Sequence, residues 1–363
     1  MARSRLRLRP ALVVLCAVLP AACSRGGERG DATPPPAVPR TFRMGFATTP
    51  PVLTVQSVLE GIDRFEERAE LAVFHEELPW TDLLGGQTPV QILARDKLAL
   101  VEHLHDRGLD VVFVLDLTDG LSRGEEAPQL RALGRSLAEP AVQQAARDYA
   151  LAVDAMLHPV MLGLAAETNL IRAAAGPAVY GAVVTTANAM AQDLALANSA
   201  ARLFFTVQVE TAWGLLPGGP FVGIDQDLAD FPFAQALGLS SYPYFVFDTP
   251  EEIPADYYSR LLRGTSLPAF VSEGGWTSAS VGTSVSSPEL QARHVDVQEQ
   301  LLDSIDAIAW LHLLFADPDL ATWPQPIPPT LPLFTAIGFC DSSFASKPAL
   351  AGWDRLFARP LAH

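Results

Sequence analysis

The sequence is short of cysteine. It has three in 363 residues, and Cys16 and Cys23 both fall near the N-terminus, so no disulfide framework holds the main part of the chain. That leaves Cys340 alone. A thiol nucleophile needs a basic partner close by, none is evident in the sequence, and Cys340 reads as a small buried residue. Basic residues are also scarce: 25 Lys and Arg stand against 41 Asp and Glu, for a formal net charge of −16. Binding to nucleic acid needs clustered Lys and Arg, and the lack of any such cluster in the folded part excludes nucleic acid as a partner. No long apolar run is present either. The stretch 11–22 is too short for a comfortable membrane span. Finally, no glycine-rich turn follows the first candidate strand, where Ala47-Thr-Thr-Pro-Pro stands. A dinucleotide-binding open sheet would want one there.

The N-terminus reads as a targeting segment. Arg3, Arg5, Arg7 and Arg9 precede the apolar stretch, which closes on Leu19-Pro-Ala-Ala-Cys23. This resembles a bacterial lipoprotein signal, and implies a lipid anchor on Cys23 and an exported protein of the cell envelope. Residues 1–23 are expected to be this signal. Residues 24–40, rich in Gly, Pro and charge, are expected to be a disordered tether. Residues 41–363 form the folded domain.

The chain as a whole is 49% hydrophobic and 18% charged, enough for a sizeable core. Eight short apolar runs are spaced through the folded domain, near 42–47, 71–74, 110–115, 159–166, 202–208, 236–243, 269–272 and 307–314. Helical stretches separate them, near 55–67, 96–107, 140–157, 177–198, 257–263, 288–304 and 349–357. Regular alternation of this kind calls for parallel strands joined by crossover helices. Eight units predict an α/β fold, a single (β/α)8 TIM barrel.

Two runs end on a lone glutamate. Pro159 to Leu170 carries Glu167, followed by Thr168 and Asn169. Pro268 to Trp276 carries Glu273, followed by Gly274 and Gly275. The C-terminal ends of barrel strands are where such folds keep their chemistry. Other strand ends offer His75-Glu76-Glu77, Asp116, Gln208 and Glu210. The first group suggests a metal cluster, but adjacent strand residues point to opposite sides, so the three cannot all hold one ion. His75 and Glu76 are expected to bind substrate, with Asp116 and Gln208 lining the same cleft. Trp80, Trp213, Tyr244 and Trp276 stand just beyond strand ends, where aromatic faces can stack on a ligand.

The order and placement of these features resemble clan-A glycoside hydrolases, the (β/α)8 retaining glycosidases, as a divergent member. The resemblance covers roughly residues 42–357. It implies that Glu167, ending strand four, is the acid/base and that Glu273, ending strand seven, is the nucleophile. Tyr242, in Ser-Tyr-Pro at strand six, resembles the tyrosine that holds the nucleophile. Trp310 on strand eight resembles the platform tryptophan. The phrase from Gly338 to Ala349 resembles the close of many members. One departure stands out: Ala166 occupies the position where most members place an asparagine that binds the sugar 2-hydroxyl. Asn169 is a candidate contact nearby.

The chemistry asks for such a pair. One protonated carboxyl must protonate the leaving oxygen, and one ionised carboxyl must attack the anomeric carbon, with the two about 5 Å apart. An apolar mouth would raise the acid's pKa. The expected activity is hydrolysis of a β-linked poly- or oligosaccharide by a monomer that needs no cofactor and no metal. Two other readings follow from the same residues. Ala166 motivates a non-catalytic carbohydrate-binding lipoprotein on a degenerate barrel. His75, Glu76 and Asp116 motivate a metal-assisted hydrolase.

Overall fold

The computed structural model describes residues 38–216 and 218–362. The signal, Cys23 and nearly all of the tether expected from the sequence lie outside them. Eight parallel strands close into a barrel in chain order: β1 (Arg43–Ala47), β2 (Leu71–Glu77), β3 (Asp110–Asp116), β4 (Met161–Gly163), β5 (Arg202–Gln208), β6 (Ala236–Ser241), β7 (Ala269–Gly274) and β8 (Ala309–His312). Helices Val55–Phe65, Leu98–Asp106, Pro140–Leu157, Pro177–Leu196, Pro288–Asp303 and Pro348–Phe357 fall where the sequence predicts them. The stretch expected as a short helix at 257–263 is instead a series of turns. It buries Tyr257 and Tyr258, whose hydroxyls donate to Glu210 Oε1 at 2.8 Å and to Gln298 Oε1 at 2.9 Å.

Period-two alternation divides the core in two. Val73, Val112, Val114, Met161, Phe204, Phe270 and Leu311 fill the barrel interior. Their strand neighbours face out and pack beneath the helices, as Phe74, Phe113, Phe205 and Trp310 do. The interior parity fixes which side chains emerge at the C-terminal mouth: His75 after Val73, Asp116 after Val114, and Gln208 after Thr206.

Two local irregularities place the glutamates. β4 is short. After Gly163 the chain bends through 164–167, and Glu167 is the residue before the helix Thr168–Ala174, with a left-handed backbone at φ 46°. A non-glycine residue there is strained. It is held because its N–H donates to Thr206 Oγ1 at 2.7 Å, while Thr206 N–H donates to the Ala165 carbonyl at 3.0 Å. In β7 the register against β6 shifts, so that Leu239 faces Val271 but Ser240 faces Glu273. A bulge of this kind re-aims the next side chain. It leaves Ser272 inside the barrel beside Gly238 and turns Glu273 inward as well. Gly274 follows at φ 134°, where a Cβ would lie 2.0 Å from the Ser241 carbonyl oxygen.

Candidate active site

The mouth holds a cavity of about 880 Å³ whose wall includes both glutamates. Glu167, Glu273, Asp116, Arg123 and Ser240 are all buried. Their contacts close into a ring. Ser240 Oγ lies 2.6 Å from Glu167 Oε1 and 3.0 Å from Glu273 Oε1. Glu273 Oε2 meets His75 Nδ1 at 2.6 Å. His75 Nε2 faces Asp116 Oδ2 at 3.3 Å, as an ion pair without hydrogen-bond alignment. The same Asp116 oxygen accepts from Arg123 Nη1, and Arg123 Nε donates to Glu167 Oε2 at 2.8 Å. Tyr242 adds a hydrogen bond to Glu273 Oε1 at 3.0 Å.

Because both glutamates reach one hydroxyl, Oε1 of each can be no farther apart than the two bonds laid end to end. That bound admits the spacing of retaining glycosidases, about 5–5.5 Å, and is shorter than the wider spacing that admits a water. The hydroxyl has a single proton and can donate to only one partner at a time. Both contacts are satisfied together when one carboxyl carries its own proton and donates into Ser240.

The environment decides which one. Burial and the neighbouring charge of Glu273 push the Glu167 carboxyl up, against the pull of Arg123. Glu273 is also buried, but the His75 imidazolium, Arg123 and the Ser240 hydroxyl outweigh that and hold it down at about 2. Burial works against charge on His75, yet Glu273 and Asp116 raise it to about 10. Two carboxyls a short distance apart are thus driven in opposite directions, the pattern that marks an acid and its ionised partner.

His75, Asp116, Glu167, Gln208, Tyr242 and Glu273 all border this cavity. Gln208 is tied down within the wall: its amide nitrogen donates to Glu210, and its amide oxygen accepts the Thr211 N–H. Glu76 also borders the cavity, with its carboxylate paired to Lys97. Three expectations need correction. Asn169 is a buried clamp between segments, its amide donating to the Gln208 carbonyl and accepting the Gln208 N–H, both at 2.8 Å. Trp276 is buried, its Nε1 donating to Ser286 Oγ at 2.9 Å. Trp310 faces out of the barrel, 4.6 Å between ring centroids from Trp353 of the last helix. The flanking Ala309 and Leu311 point inward, which forces Trp310 the other way.

Sequence reasoning passed over five members of the site. Ser240 was within reach, since period two on β6 places Ala236, Gly238, Ser240 and Tyr242 on one face. The cavity aromatics Phe245, Trp323 and Phe334 come from loops without a periodic signal. Arg123 comes from the loop after β3, and nothing local distinguishes it from other arginines. Ala166 is buried inside the barrel, so no side chain there reaches the cavity to replace an asparagine.

No family model matches the chain, and no curated protein matches it. Solved structures do. An exo-β-1,4-mannosidase from Opitutaceae bacterium strain TAV5 superposes with a TM-score of 0.63 at 16% identity, over 88% of this chain and 61% of the mannosidase. The chain therefore spans less than two thirds of that enzyme's length. A GH5_18 protein from Streptomyces cattleya, in complex with GlcNAc, gives 0.62 at 16% identity, covering 90% of this chain and 83% of that one. A β-glucuronidase from Ruminococcus gnavus gives 0.55 at 12% identity, over 88% of this chain and 50% of that chain. The chain thus has the (β/α)8 barrel fold seen in these proteins.

Proposed function

We propose that the protein is a retaining glycoside hydrolase acting on a β-linked poly- or oligosaccharide. The observation that carries this reading is the pair of glutamates that converge on Ser240 with opposed proton affinities. Glu167, protonated, gives its proton to the leaving oxygen. Glu273, held ionised by His75 and Tyr242, attacks the anomeric carbon and forms a glycosyl ester. Glu167, now ionised, takes a proton from the water that cleaves that ester and returns to its starting state. The mannosidase and glucuronidase likenesses support a glycoside as the substrate and leave the sugar open.

The test is hydrolysis of a panel of aryl β-glycosides by wild type, Glu167→Ala and Glu273→Ala. The expected result is turnover with retained anomeric configuration, lost in Glu273→Ala, and a fluoro-sugar adduct found by mass spectrometry on Glu273. Undiminished hydrolysis by Glu273→Ala overturns the assignment. Saccharide binding without turnover, unaffected by loss of Glu167, would instead indicate the carbohydrate-binding reading motivated by Ala166.

We also propose export and tethering through a lipid on Cys23, supported by the basic and apolar sequence before it. Fatty-acid labelling that disappears in Cys23→Ala is the expected outcome.

A further inference from the structure

One carboxylate of the cavity has neither a role in this chemistry nor an ion-pair partner among the described residues. β2 continues past His75, and period two puts Glu77 on the same face, one layer nearer the opening. Glu77 borders the cavity. Its Oε1 accepts the Gly120 N–H at 3.0 Å, and it joins no ion pair among the described residues. The other charges of the wall are matched. His75 and Arg123 are each held between two carboxylates. Glu76 pairs with Lys97, and Glu125 pairs with Arg131. Burial raises the Glu77 carboxyl, and the charges of Asp116 and Asp119 add to that, against the Gly120 N–H and the more distant charge of Arg123. Its ionised form therefore gains from a further donor.

We propose that Glu77 receives a hydroxyl or amino group of the sugar, so that the cavity takes neutral or amino-bearing glycosides and turns away uronates. The inference rests on the glycosidase reading. A hydroxyl or ammonium donating to Glu77 makes a charge-assisted hydrogen bond in a partly dry site. A uronate carboxylate entering the same cavity finds both wall cations, His75 and Arg123, engaged. It also meets Glu77 and Asp116 as like charges at low dielectric. The barrel fold is shared by enzymes of neutral and of acidic sugars, so the choice falls to these side chains.

The experiment compares wild type, Glu77→Gln and Glu77→Lys on matched aryl β-hexosides, 2-amino-2-deoxyhexosides and hexuronides. Gln keeps the acceptor for Gly120, and unchanged thermal midpoints establish that the variants fold. Wild type is expected to favour a neutral or amino-bearing substrate over its uronide by at least about tenfold in kcat/KM, roughly the worth of one charged hydrogen bond. Glu77→Gln should raise KM for the favoured substrate, and Glu77→Lys should shift the ratio toward the uronide. Equal or faster turnover of the uronide, or a ratio unmoved in both variants, overturns the proposal. If wild type hydrolyses no glycoside, the glycosidase reading has failed, and calorimetric binding of neutral, amino-bearing and uronic oligosaccharides decides instead. Tighter binding of the neutral or amino sugar, weakened in Glu77→Gln, supports the proposal. Tighter uronate binding, or no saccharide binding at all, overturns it.

Discussion

His75 on β2 and Glu273 on β7 stand 2.6 Å apart, Nδ1 to Oε2, so the cation that keeps one glutamate ionised is supplied from across the barrel mouth. Replacing His75 with Gln removes that charge while keeping a polar group. The Glu273 carboxyl should then rise from about 2, and the acidic limb of kcat/KM against pH should move up with it. At the pH optimum the loss should be on the order of a hundredfold, as for other preorganised electrostatic groups. A pH profile of both proteins checks this.

The same pair links stability to pH. His75 rises from 6.5 in the unfolded chain to about 10 in the folded one. A group with a raised folded pKa contributes stability fully below its unfolded pKa and loses it as pH climbs through the folded value. Between pH 6.5 and about 10 the wild-type melting temperature should therefore fall. His75→Gln should show a flatter profile over the same window. Calorimetric melts in matched low-salt buffers would measure it.

Arg123 is the shared cation of Asp116 and Glu167. Arg123→Met leaves two buried carboxylates with one partner fewer. Breaking a buried pair in this way costs about 3–5 kcal/mol, which urea denaturation should reveal. Glu167 also loses the group that pulls its carboxyl down. The alkaline limb of any residual activity should therefore shift to higher pH.

Gly274 tests the backbone that aims Glu273. At φ 134°, with the Ser241 carbonyl 2.0 Å from where a Cβ would lie, alanine must push β7 from β6. Gly274→Ala should lose about 1–3 kcal/mol of stability from the unfavourable backbone. Activity should fall further than that loss of folded protein explains, because the bulged residue moves with the strand. Comparing kcat per folded molecule with the unfolding curve separates the two effects.

The barrel was readable because its signals are local and repeated. Each strand is a short apolar run, and each helix is bounded by breakers such as Gly108 or Pro140. Glu167 and Glu273 were readable because a charge ending such a run is conspicuous. Parity along β2 held more than was drawn from it: it separates Glu76 from His75 and joins Glu77 to it. Trp310 failed for the same reason, since its inward neighbours Ala309 and Leu311 assign it to the helix side. Asn169 failed because β4 stops at Gly163 and the chain has entered a helix by Thr168. Arg123 lies beyond such reasoning. Its two partners lie at the end of β3 and in the bend beyond β4, and only the closed barrel brings them together.

The ring through Ser240 has a consequence for the proposed double displacement. At rest Glu273 is the charged glutamate and Glu167 is neutral. In the glycosyl ester Glu273 is neutral, and Glu167 has given up its proton. The site therefore holds the same total charge before and after bond cleavage; one negative charge has moved from beside His75 to beside Arg123. A cation already waits at each end of that path, and Asp116 tethers the two cations to each other. Water need not reorient around a charge that travels between two fixed partners.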